Sequence, residues 1–407
     1  MRPLCAIFLG AVLPASAGLA LAAGPGLVVS ADFPGGSVHV EELDQEARAV
    51  HFRPADHPER GWRCWWYFKV TGTEPGETLT LAVTGDGFAL PDRAAFSLDD
   101  VTWNHTAPGR REKGKVTYAV RVDAREAWFA WGPPYLPRHA GELIARAEKA
   151  CPHAKAFDLC RTREDRPVPA LRFSPRRAAE ARPFGVWIQA RQHAWESGSS
   201  WVCHGLVEWL ASSDPRAEAL RERAAVTVVP IMDIDNVVRG AGGKNQKPQD
   251  HNRDWTDRPH WRSVAAAQQR IGDMAEATRF ALFVDLHNPG PGDREPFFYT
   301  CPRNLLTPLQ HTRLDAFLAA AGAEISGPLA FTGRTRESGA NYDRDWKAIS
   351  KNWVHQHTGG AGVAVTFETS WNTPNSTQEN YRQVGRRLGL AVERYLGGLA
   401  GAGATAR

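Results

Sequence analysis

Short β-rich runs dominate the first third of the chain. Residues 62–70 (WRCWWYFKV), 78–87 (TLTLAVTGDG) and 115–122 (KVTYAVRV) combine β-branched and aromatic residues, and Gly, Pro and Asp separate them. Short strands with frequent turn residues are typical of an antiparallel β-sandwich. We therefore predict an antiparallel β-sandwich domain over residues 23–133, with its tryptophans in the core. A sugar-binding aromatic platform is the alternative role for those tryptophans.

From Pro134 onward, four short apolar runs alternate with helical patterns. The runs lie at residues 184–190, 224–231, 280–286 and 362–367, and residues 141–150, 200–211 and 263–278 have helical spacing. Strand alternating with helix predicts a largely parallel sheet covered by helices. We assign residues 134–398 to this α/β domain, which a helix over 381–396 closes. Residues 399–407 are predicted to be a flexible tail.

The first 22 residues are predicted to be a signal peptide. Arg2 precedes the apolar stretch 4–13, and Ala20, Leu21 and Ala22 form a small-residue cleavage signal. A membrane anchor is the alternative, but this stretch is too short to span a bilayer, and no later segment approaches that length. We expect export, to the periplasm or outside the cell, with no membrane span after signal removal.

The overall composition excludes fewer classes of function than the order of apolar and polar residues along the chain does. With 49 Lys+Arg and 45 Asp+Glu the net charge is +4, too small to indicate a nucleic-acid partner. A hydrophobic fraction of 43% argues against whole-chain disorder. Beyond the signal, Cys151 and Cys160 are close in sequence, and they either form a disulfide or remain two buried free thiols.

Polar side chains follow each of the four apolar runs, where the predicted strands end. Because parallel strands present their C-terminal ends at one rim of a sheet, we expect these side chains to converge. In chain order they are His193, Glu196, Asn252, Arg253, His287 and Glu368.

Three of these residues make a candidate zinc site. His193, Glu196 and His287 supply two imidazoles and one carboxylate, a set that holds catalytic zinc and leaves a fourth position for water. Bound zinc lowers the pKa of that water and polarises a carbonyl. We predict one zinc ion per chain. Asp285, two residues before His287, either orients that ligand from behind or is an ordinary buried polar residue.

The remaining polar residues suggest roles in proton transfer and substrate binding. Glu368 ends an apolar strand, where a carboxylate is destabilising unless it is paired or functional. It either acts as general base and then general acid, or forms a structural salt bridge. Asn252 and Arg253 suit a substrate carboxylate, because arginine offers a planar fork and asparagine adds a donor. The alternative for Arg253 is an ion pair with Asp250 or Asp254.

Four segments resemble the zinc carboxypeptidase family, the carboxypeptidase A/B-type metallocarboxypeptidases. They are ARQHAWESGSSW, MDIDNVVRG with DHNRDW, FVDLHNPG and VTFETSW. The spacing is closest to the cytosolic-carboxypeptidase-like branch, which carries a β-sandwich before its catalytic domain. The resemblance covers nearly the whole chain after the signal. It implies a mixed, mostly parallel sheet covered by helices.

The resemblance also implies a role for each matching residue. His193, Glu196 and His287 match the zinc ligands, and Glu368 matches the catalytic glutamate. The substrate's terminal carboxylate would be bound by the matching pair, Asn252 and Arg253.

This chain departs from the family pattern at several positions. The family's carbonyl-polarising arginine falls nine residues before Asn252, where this chain has Gly243, so Lys244 or Arg239 is the candidate substitute. Trp195 replaces a small residue and is expected to narrow the site. Tyr342 is the candidate for the tyrosine that closes over substrate.

The implied function is a zinc metallocarboxypeptidase, which hydrolyses the C-terminal peptide bond of peptides with a free carboxylate. One alternative is a zinc amidohydrolase that deacylates N-acyl amino acids or trims cell-wall peptides. Another is a non-catalytic binding protein that recognises glycan or protein, which the complete ligand set and Glu368 argue against. The basic loop 332–360 is expected to line the specificity pocket, where it either selects acidic side chains or is simply solvated.

Overall fold

The computed structural model describes residues 26–175, 182–359 and 362–404. The predicted signal peptide, residues 1–22, lies outside these ranges. Among the described residues, no helix is both long enough and apolar enough to cross a membrane.

The N-terminal part is built from short strands. Alternate residues of the longest ones face inward, as in residues 115–122, where Val116, Tyr118, Val120 and Val122 are buried. The strands are β1 (Val28–Ser30), β2 (His39–Asp44), β3 (Ala49–Arg53), β4 (Tyr67–Thr71), β5 (Glu77–Thr84), β6 (Ala95–Ser97), β7 (Asn104–His105), β8 (Arg110–Glu112), β9 (Lys115–Val122) and β10 (Glu126–Ala130).

These strands form two five-stranded sheets, ordered β1-β4-β10-β6-β7 and β2-β3-β5-β9-β8. Phe52 of β3 packs edge-on against Trp66 and against Phe68 of β4, with ring centroids 5.2 and 4.8 Å apart, so the two sheets share one core. The sandwich is not wholly antiparallel as predicted, because β3 and β5 pair in parallel. The reason is topological: β4, which lies between them in sequence, belongs to the other sheet.

The second part alternates strands with helices. Its strands are β11 (Ala154–Arg161), β12 (Pro167–Phe173), β13 (Phe184–Ala190), β14 (Ala224–Val229), β15 (Arg279–His287), β16 (Phe297–Thr300), β17 (Thr335–Glu337) and β18 (Val363–Glu368). Its helices are α1 (Pro137–Ala150), α2 (Ser197–Ala211), α3 (Pro215–Arg223), α4 (Ile234–Arg239), α5 (Arg262–Ala277), α6 (Pro308–Glu324), α7 (Ser350–His357) and α8 (Gln378–Ala404).

One mixed sheet, ordered β11-β12-β14-β13-β15-β18-β16-β17, runs through this part. The four central strands are parallel, and β12 and β16 flank them in antiparallel pairs. Every residue of β13, β14 and β18 is buried, which explains their continuous apolar sequences. The predicted fold class, a mostly parallel mixed sheet covered by helices after a β-sandwich, is confirmed. The outer strands β11, β12, β16 and β17 were not predicted.

Helix α8 runs farther than predicted and extends to Ala404, into the segment predicted to be a flexible tail. Each residue added to an existing helix gains a hydrogen bond, and the alanines of this segment favour helix. Helix α8 also packs very closely on α2. A Cβ atom at Gly205 would lie 2.0 Å from the Arg382 carbonyl oxygen, so only glycine allows this approach. The cysteines of the described chain, including Cys151 and Cys160, are free, so the disulfide alternative is not adopted.

Candidate active site

The ends of three parallel strands create the site. β13, β15 and β18 lie side by side and run in the same direction. Ala190 at the end of β13 pairs with Leu286, and His287 at the end of β15 pairs with Glu368 at the end of β18. The polar residues that follow these strands are therefore brought to one rim.

A buried arginine shapes the loop after β13, which carries His193 and Glu196. Arg191 has a φ of 66°, is 1% exposed and donates from Nε to the Ala194 carbonyl oxygen at 2.7 Å. Its Nη1 donates to the Tyr135 carbonyl oxygen at 3.2 Å. Burial without a carboxylate partner lowers the pKa of Arg191 to about 9. Its hydrogen bonds to Ala194 and Tyr135 stabilise the conformation of this loop.

Two imidazoles converge on one carboxylate. His193 Nδ1 lies 2.7 Å from Glu196 Oε1, and His287 Nδ1 lies 2.7 Å from Glu196 Oε2. One ligand atom from each of these three buried residues falls within 4.8 Å of the others. Although burial opposes it, the two histidines lower the pKa of Glu196 to about 2. Two nitrogens and one carboxylate oxygen at this spacing fit Zn²⁺.

Each histidine has a carboxylate behind it. His193 Nε2 lies 3.1 Å from Asp250 Oδ1, and His287 Nε2 lies 3.0 Å from Asp285 Oδ2. Because these carboxylates accept a hydrogen bond from a proton on each Nε2, loss of the Nδ1 protons on metal binding would leave both Nδ1 lone pairs available as ligands, which is the tautomer a metal needs. Asp285 was proposed from the sequence as such an orienting residue. From the sequence, Asp250 was considered only as an ion-pair partner of Arg253. Its position two residues before Asn252, which was expected at the rim, could have indicated that it lies near the histidines.

Further hydrogen bonds fix both orienting carboxylates. Asp285 Oδ2 accepts from Gln192 Nε2 at 2.5 Å and from Ser350 Oγ at 2.6 Å. Asp250 Oδ2 accepts from Lys244 Nζ at 2.7 Å and from the Asn245 backbone at 2.8 Å. Both carboxylates are thus held rigidly before any ligand arrives.

Glu368 lies beside this triad without a partner. The residue is 9% exposed, and its Oε2 is buried and accepts no hydrogen bond from the described residues. Burial raises the pKa of Glu368 to about 8, although His287 acts in the opposite direction. A lone buried carboxyl oxygen is destabilising, so its survival in a polar cleft points to a role in chemistry. The salt bridge considered for Glu368 is not formed within the described chain.

A cleft of about 190 Å³ opens above these residues. Asn252, Arg253, Lys244 and Tyr342 all line it. Their partners in the cleft wall include Trp195, which is 2% exposed.

Arg253 does not pair with Asp250 or Asp254 as the alternative interpretation required. Its Nε and Nη2 both lie 2.9 Å from Asp343 Oδ2, so a side chain from the loop between β17 and α7 occupies the guanidinium fork. The Tyr342 ring lies 5.9 Å from the same guanidinium. The Asn252 amide nitrogen faces the other way, 3.2 Å from His287 Nε2. Asn252 and Arg253 thus lie between the candidate metal ligand His287 and the loop that carries Asp343.

The two candidates for the missing arginine have different surroundings. Arg239 ends α4 and its guanidinium pairs with Glu164 at 2.8 Å, outside the residues that line the cleft. The structure does not bring Arg239 to the cleft, because its guanidinium is directed toward Glu164 at the end of α4. Gly243 has a φ of 79°, and a Cβ there would lie 2.7 Å from the Ala194 nitrogen, which excludes an arginine at this position. Lys244 is the candidate that lines the cleft.

Among the basic residues of loop 332–360, Arg334 and Arg336 do not line the cleft themselves but contact its lining residues Asp293 and Phe297. Arg334 and Arg336 pair with Asp293 at 2.9 and 2.7 Å, and the Arg344 side chain is 92% exposed. The buried cation that lines the cleft is Lys351, which donates to the Thr300 carbonyl oxygen at 2.9 Å. Sequence reasoning missed Lys351, because nothing in its local sequence distinguishes it from a surface lysine.

The N-terminal sandwich forms part of the cleft wall. Trp62 and Phe88 line the cleft, and Phe88 meets Trp195 edge-on at 5.8 Å between ring centroids. Trp195 also meets Trp131 edge-on at 5.1 Å. Access to the zinc-ligand triad is therefore limited by aromatic side chains from both parts of the chain.

This α/β fold carries, at the rim of its parallel strands, a His₂Glu triad whose ligand types fit a catalytic zinc site. Residues 141–370 match the family model described as zinc carboxypeptidase, and the chain belongs to that family. It is therefore a peptide-bond hydrolase of the metallocarboxypeptidase class.

Two relatives illustrate the range of similarity. An uncharacterized protein of Zymomonas mobilis is 28% identical over 269 residues, which are 64% of this chain and 67% of that protein. Mouse cytosolic carboxypeptidase 4 is 30% identical over 155 residues, 34% of this chain. That match spans 14% of the length of the mouse protein, so it concerns only a small part of it.

Solved structures share the fold over almost the whole chain. A metallo-carboxypeptidase from Burkholderia cenocepacia superimposes with a TM-score of 0.81 at 22% identity, and the match covers 92% of this chain and 100% of that one. A metallo-carboxypeptidase from Pseudomonas aeruginosa, in complex with (2-guanidinoethylmercapto)succinic acid, gives a TM-score of 0.75 at 20% identity. That match covers 90% of this chain and 98% of the other.

Proposed function

We propose that this protein is a zinc-dependent carboxypeptidase, which removes the C-terminal residue of peptides with a free carboxylate. The observation that carries the proposal is the convergence of two imidazole Nδ1 atoms on Glu196, next to the unpartnered Oε2 of Glu368. One zinc ion per chain would be held by His193, Glu196 and His287. When bound, zinc supplies Lewis-acid polarisation of a carbonyl and lowers the pKa of water.

The protein's own groups would do the rest. In its ionised form, which the positive charge of bound zinc would favour, Glu368 would accept a proton from the attacking water at Oε2, which has no partner in the described chain. The same oxygen would then deliver the proton to the leaving amine. Arg253 and Asn252 would bind the terminal carboxylate, and Lys244 would add positive charge near the scissile carbonyl. Asp250 and Asp285 would keep both histidines in the metal-binding tautomer.

The first test is zinc content. Purified protein reconstituted with metal should hold about one equivalent of zinc, and His287→Ala should lose most of it, because that variant removes one of three ligands. Metal analysis after dialysis measures this directly. His311→Ala, which removes a partly exposed histidine of α6 that lies outside the cleft lining, is the matched control. Because ligating histidines must be deprotonated, affinity should rise with pH. Substoichiometric zinc that His287→Ala leaves unchanged contradicts the proposal.

The second test concerns Lys244. We expect Lys244→Met to lower kcat by about 10-fold to 100-fold, less than the ~10²–10³-fold typical for loss of an oxyanion donor, because Asp250 already shares its charge. Arg239→Met is the matched control, since its guanidinium pairs with Glu164 instead. Zinc content should be measured in both variants. Equal kcat in the two variants and the wild type would show that neither cation stabilises the transition state.

The third test asks whether Asp343 competes with substrate. Because Asp343 occupies the Arg253 fork, Asp343→Asn should lower KM for free-acid peptides by about two- to fivefold, the scale of a partly exposed ion pair. The kcat value should change little. Asp345→Asn in the same loop, whose carboxylate pairs with Arg344, is the control. A rise in KM would mean that Asp343 orients Arg253 rather than competing for it.

A zinc amidohydrolase that deacylates N-acyl amino acids is the second candidate, and the narrow cleft favours it. About 190 Å³ is smaller than the ~300–1,000 Å³ usual for ligand pockets, and the aromatic rings of Trp195 and Phe88 line the cleft. Both functions need a free carboxylate on the substrate. Comparing kcat/KM for an acetylated amino acid with that for a longer peptide ending in the same residue distinguishes them.

A further inference from the structure

A second cavity, which we call the junction cavity, lies between the sandwich and the α/β part. Its volume is about 240 Å³. The walls come from the sandwich, from the connecting segment at Trp131 and Gly132, from the start of α2 at Ser197, and from the loop after β18. Trp131 and Trp371 line it with ring centroids 4.2 Å apart, and Trp195, which contacts both rings, lines the active-site cleft instead. The two cavities are therefore neighbours separated by tryptophans.

Two buried polar atoms of its lining residues have no partner. Ser197 is 1% exposed, and its Oγ makes no hydrogen bond with any described residue. The Nδ1 atom of His105 is also buried and unpaired within the described chain. Burial lowers the pKa of His105 to about 4, so the ring is neutral near pH 7. Buried polar atoms are nearly always paired, so two unpaired atoms at one cavity indicate a ligand that is polar on this side.

Asp92 and Arg93 both line the cavity, and its positive charge comes from Arg93. Its guanidinium donates from Nη1 to the Thr106 carbonyl oxygen at 2.8 Å and forms no ion pair with a carboxylate in the described ranges. The neighbouring Asp92 does not neutralise it, because that carboxylate pairs with Arg111 and Arg294, each at 2.8 Å. A guanidinium fork with unused donors is suited to a carboxylate.

Aromatic and proline rings form part of the remaining wall, and Asn372, Thr373, Ser376 and Tyr381 line other parts of it. The Trp131 and Trp371 rings, together with Pro108, Pro133 and Pro374, line the cavity. Aromatic and proline rings bind a compact apolar body without offering it hydrogen bonds. We propose that the junction cavity binds a small organic carboxylate, whose charge pairs with Arg93 and whose apolar body lies against the tryptophan and proline rings.

Benzoate is a suitable probe, and benzamide is its neutral isostere. Calorimetric titration of the full-length protein should give one benzoate bound at this site, and benzamide should bind at least tenfold more weakly. The active-site cleft could also take benzoate through Arg253, so every titration is repeated in Arg253→Met. Binding at the junction cavity should persist in that variant. This makes the test independent of the proposed carboxypeptidase function.

Two substitutions in the cavity should abolish binding for different reasons. Arg93→Met removes the charge and should weaken benzoate binding at least tenfold. Gly132→Leu should fill the space, because a Cβ at Gly132 meets only Ser197 Oγ, at an ordinary 3.7 Å. Arg121→Met is the matched control, since Arg121 is exposed on β9 and pairs with Asp123. Thermal unfolding checks the fold of each variant, and Ser197→Ala replaces any variant that does not fold.

Three outcomes would overturn the proposal. The first is no benzoate binding to the wild type at millimolar concentration. The second is binding that Arg253→Met removes, which would assign it to the active-site cleft. The third is binding that Arg93→Met and Gly132→Leu both leave unchanged while the variants remain folded.

Discussion

Glu368→Gln is expected to keep its zinc but to lose most of its activity. The amide has the shape of the carboxylate but cannot accept the proton of an attacking water, and loss of a general acid–base lowers rates by about 10²–10⁴-fold. Zinc should stay bound, because His193, Glu196 and His287 are untouched. The measurements are kcat on a free-acid peptide and zinc content of the same sample.

The control is Glu276→Gln, which changes an exposed glutamate of α5. It should match the wild type in both measurements. Two results would contradict the role of Glu368. Turnover close to wild type would mean that another group transfers the proton, and loss of zinc would mean that Glu368 supports the metal site. KM should change little, because Arg253 and Asn252 rather than Glu368 are proposed to bind the substrate.

Much of this site could be predicted because the central strands are buried on both faces. A strand between two helical layers must be apolar throughout, so a polar residue at its end marks the rim. His287 and Glu368 are such residues, and the register pairs them directly. The outer strands gave no comparable signal. β16 and β17 are only four and three residues long, and three residues carry too little pattern to be recognised.

The residues that sequence reasoning missed or misplaced belong to loops and helix ends. Asp343 reaches Arg253 from 90 positions along the chain, and its loop is set by tertiary packing rather than by local pattern. Arg239 and Lys244 are five residues apart, yet only Lys244 lines the cleft. The left-handed Gly240 ends α4 between them and changes the chain direction, with a φ of 70°. Sequence spacing alone does not reveal such a turn.

The second large effect is expected when the interaction between the substrate's C-terminal carboxylate and Arg253 is removed. A C-terminally amidated peptide has no terminal carboxylate to pair with Arg253. In Arg253→Ala, a free-acid peptide has its carboxylate but finds no guanidinium to bind it. Losing one partner of a buried charge pair costs about 2–5 kcal/mol, which lowers kcat/KM by about 30-fold to several thousand-fold. We expect both changes to fall in this range. In Arg253→Ala, amidated and free-acid peptides should be cleaved at similar low rates, because the group that discriminates them is gone.

Asp343 is expected to determine how large the loss of kcat/KM is for the amidated peptide. With this substrate Arg253 keeps its ion pair with Asp343, so the guanidinium is not left unpaired and the defect should lie near the lower end, about 30-fold. In Asp343→Asn the same peptide leaves Arg253 without its ion pair to Asp343, so discrimination against it should increase. Measuring kcat/KM for both peptides in wild type, Arg253→Ala, Asp343→Asn and the double variant tests this coupling. Equal cleavage of the two peptides by the wild type would show that Arg253 does not select a free C-terminus. The proposed carboxypeptidase activity would then have no residue that recognises the substrate's terminal carboxylate.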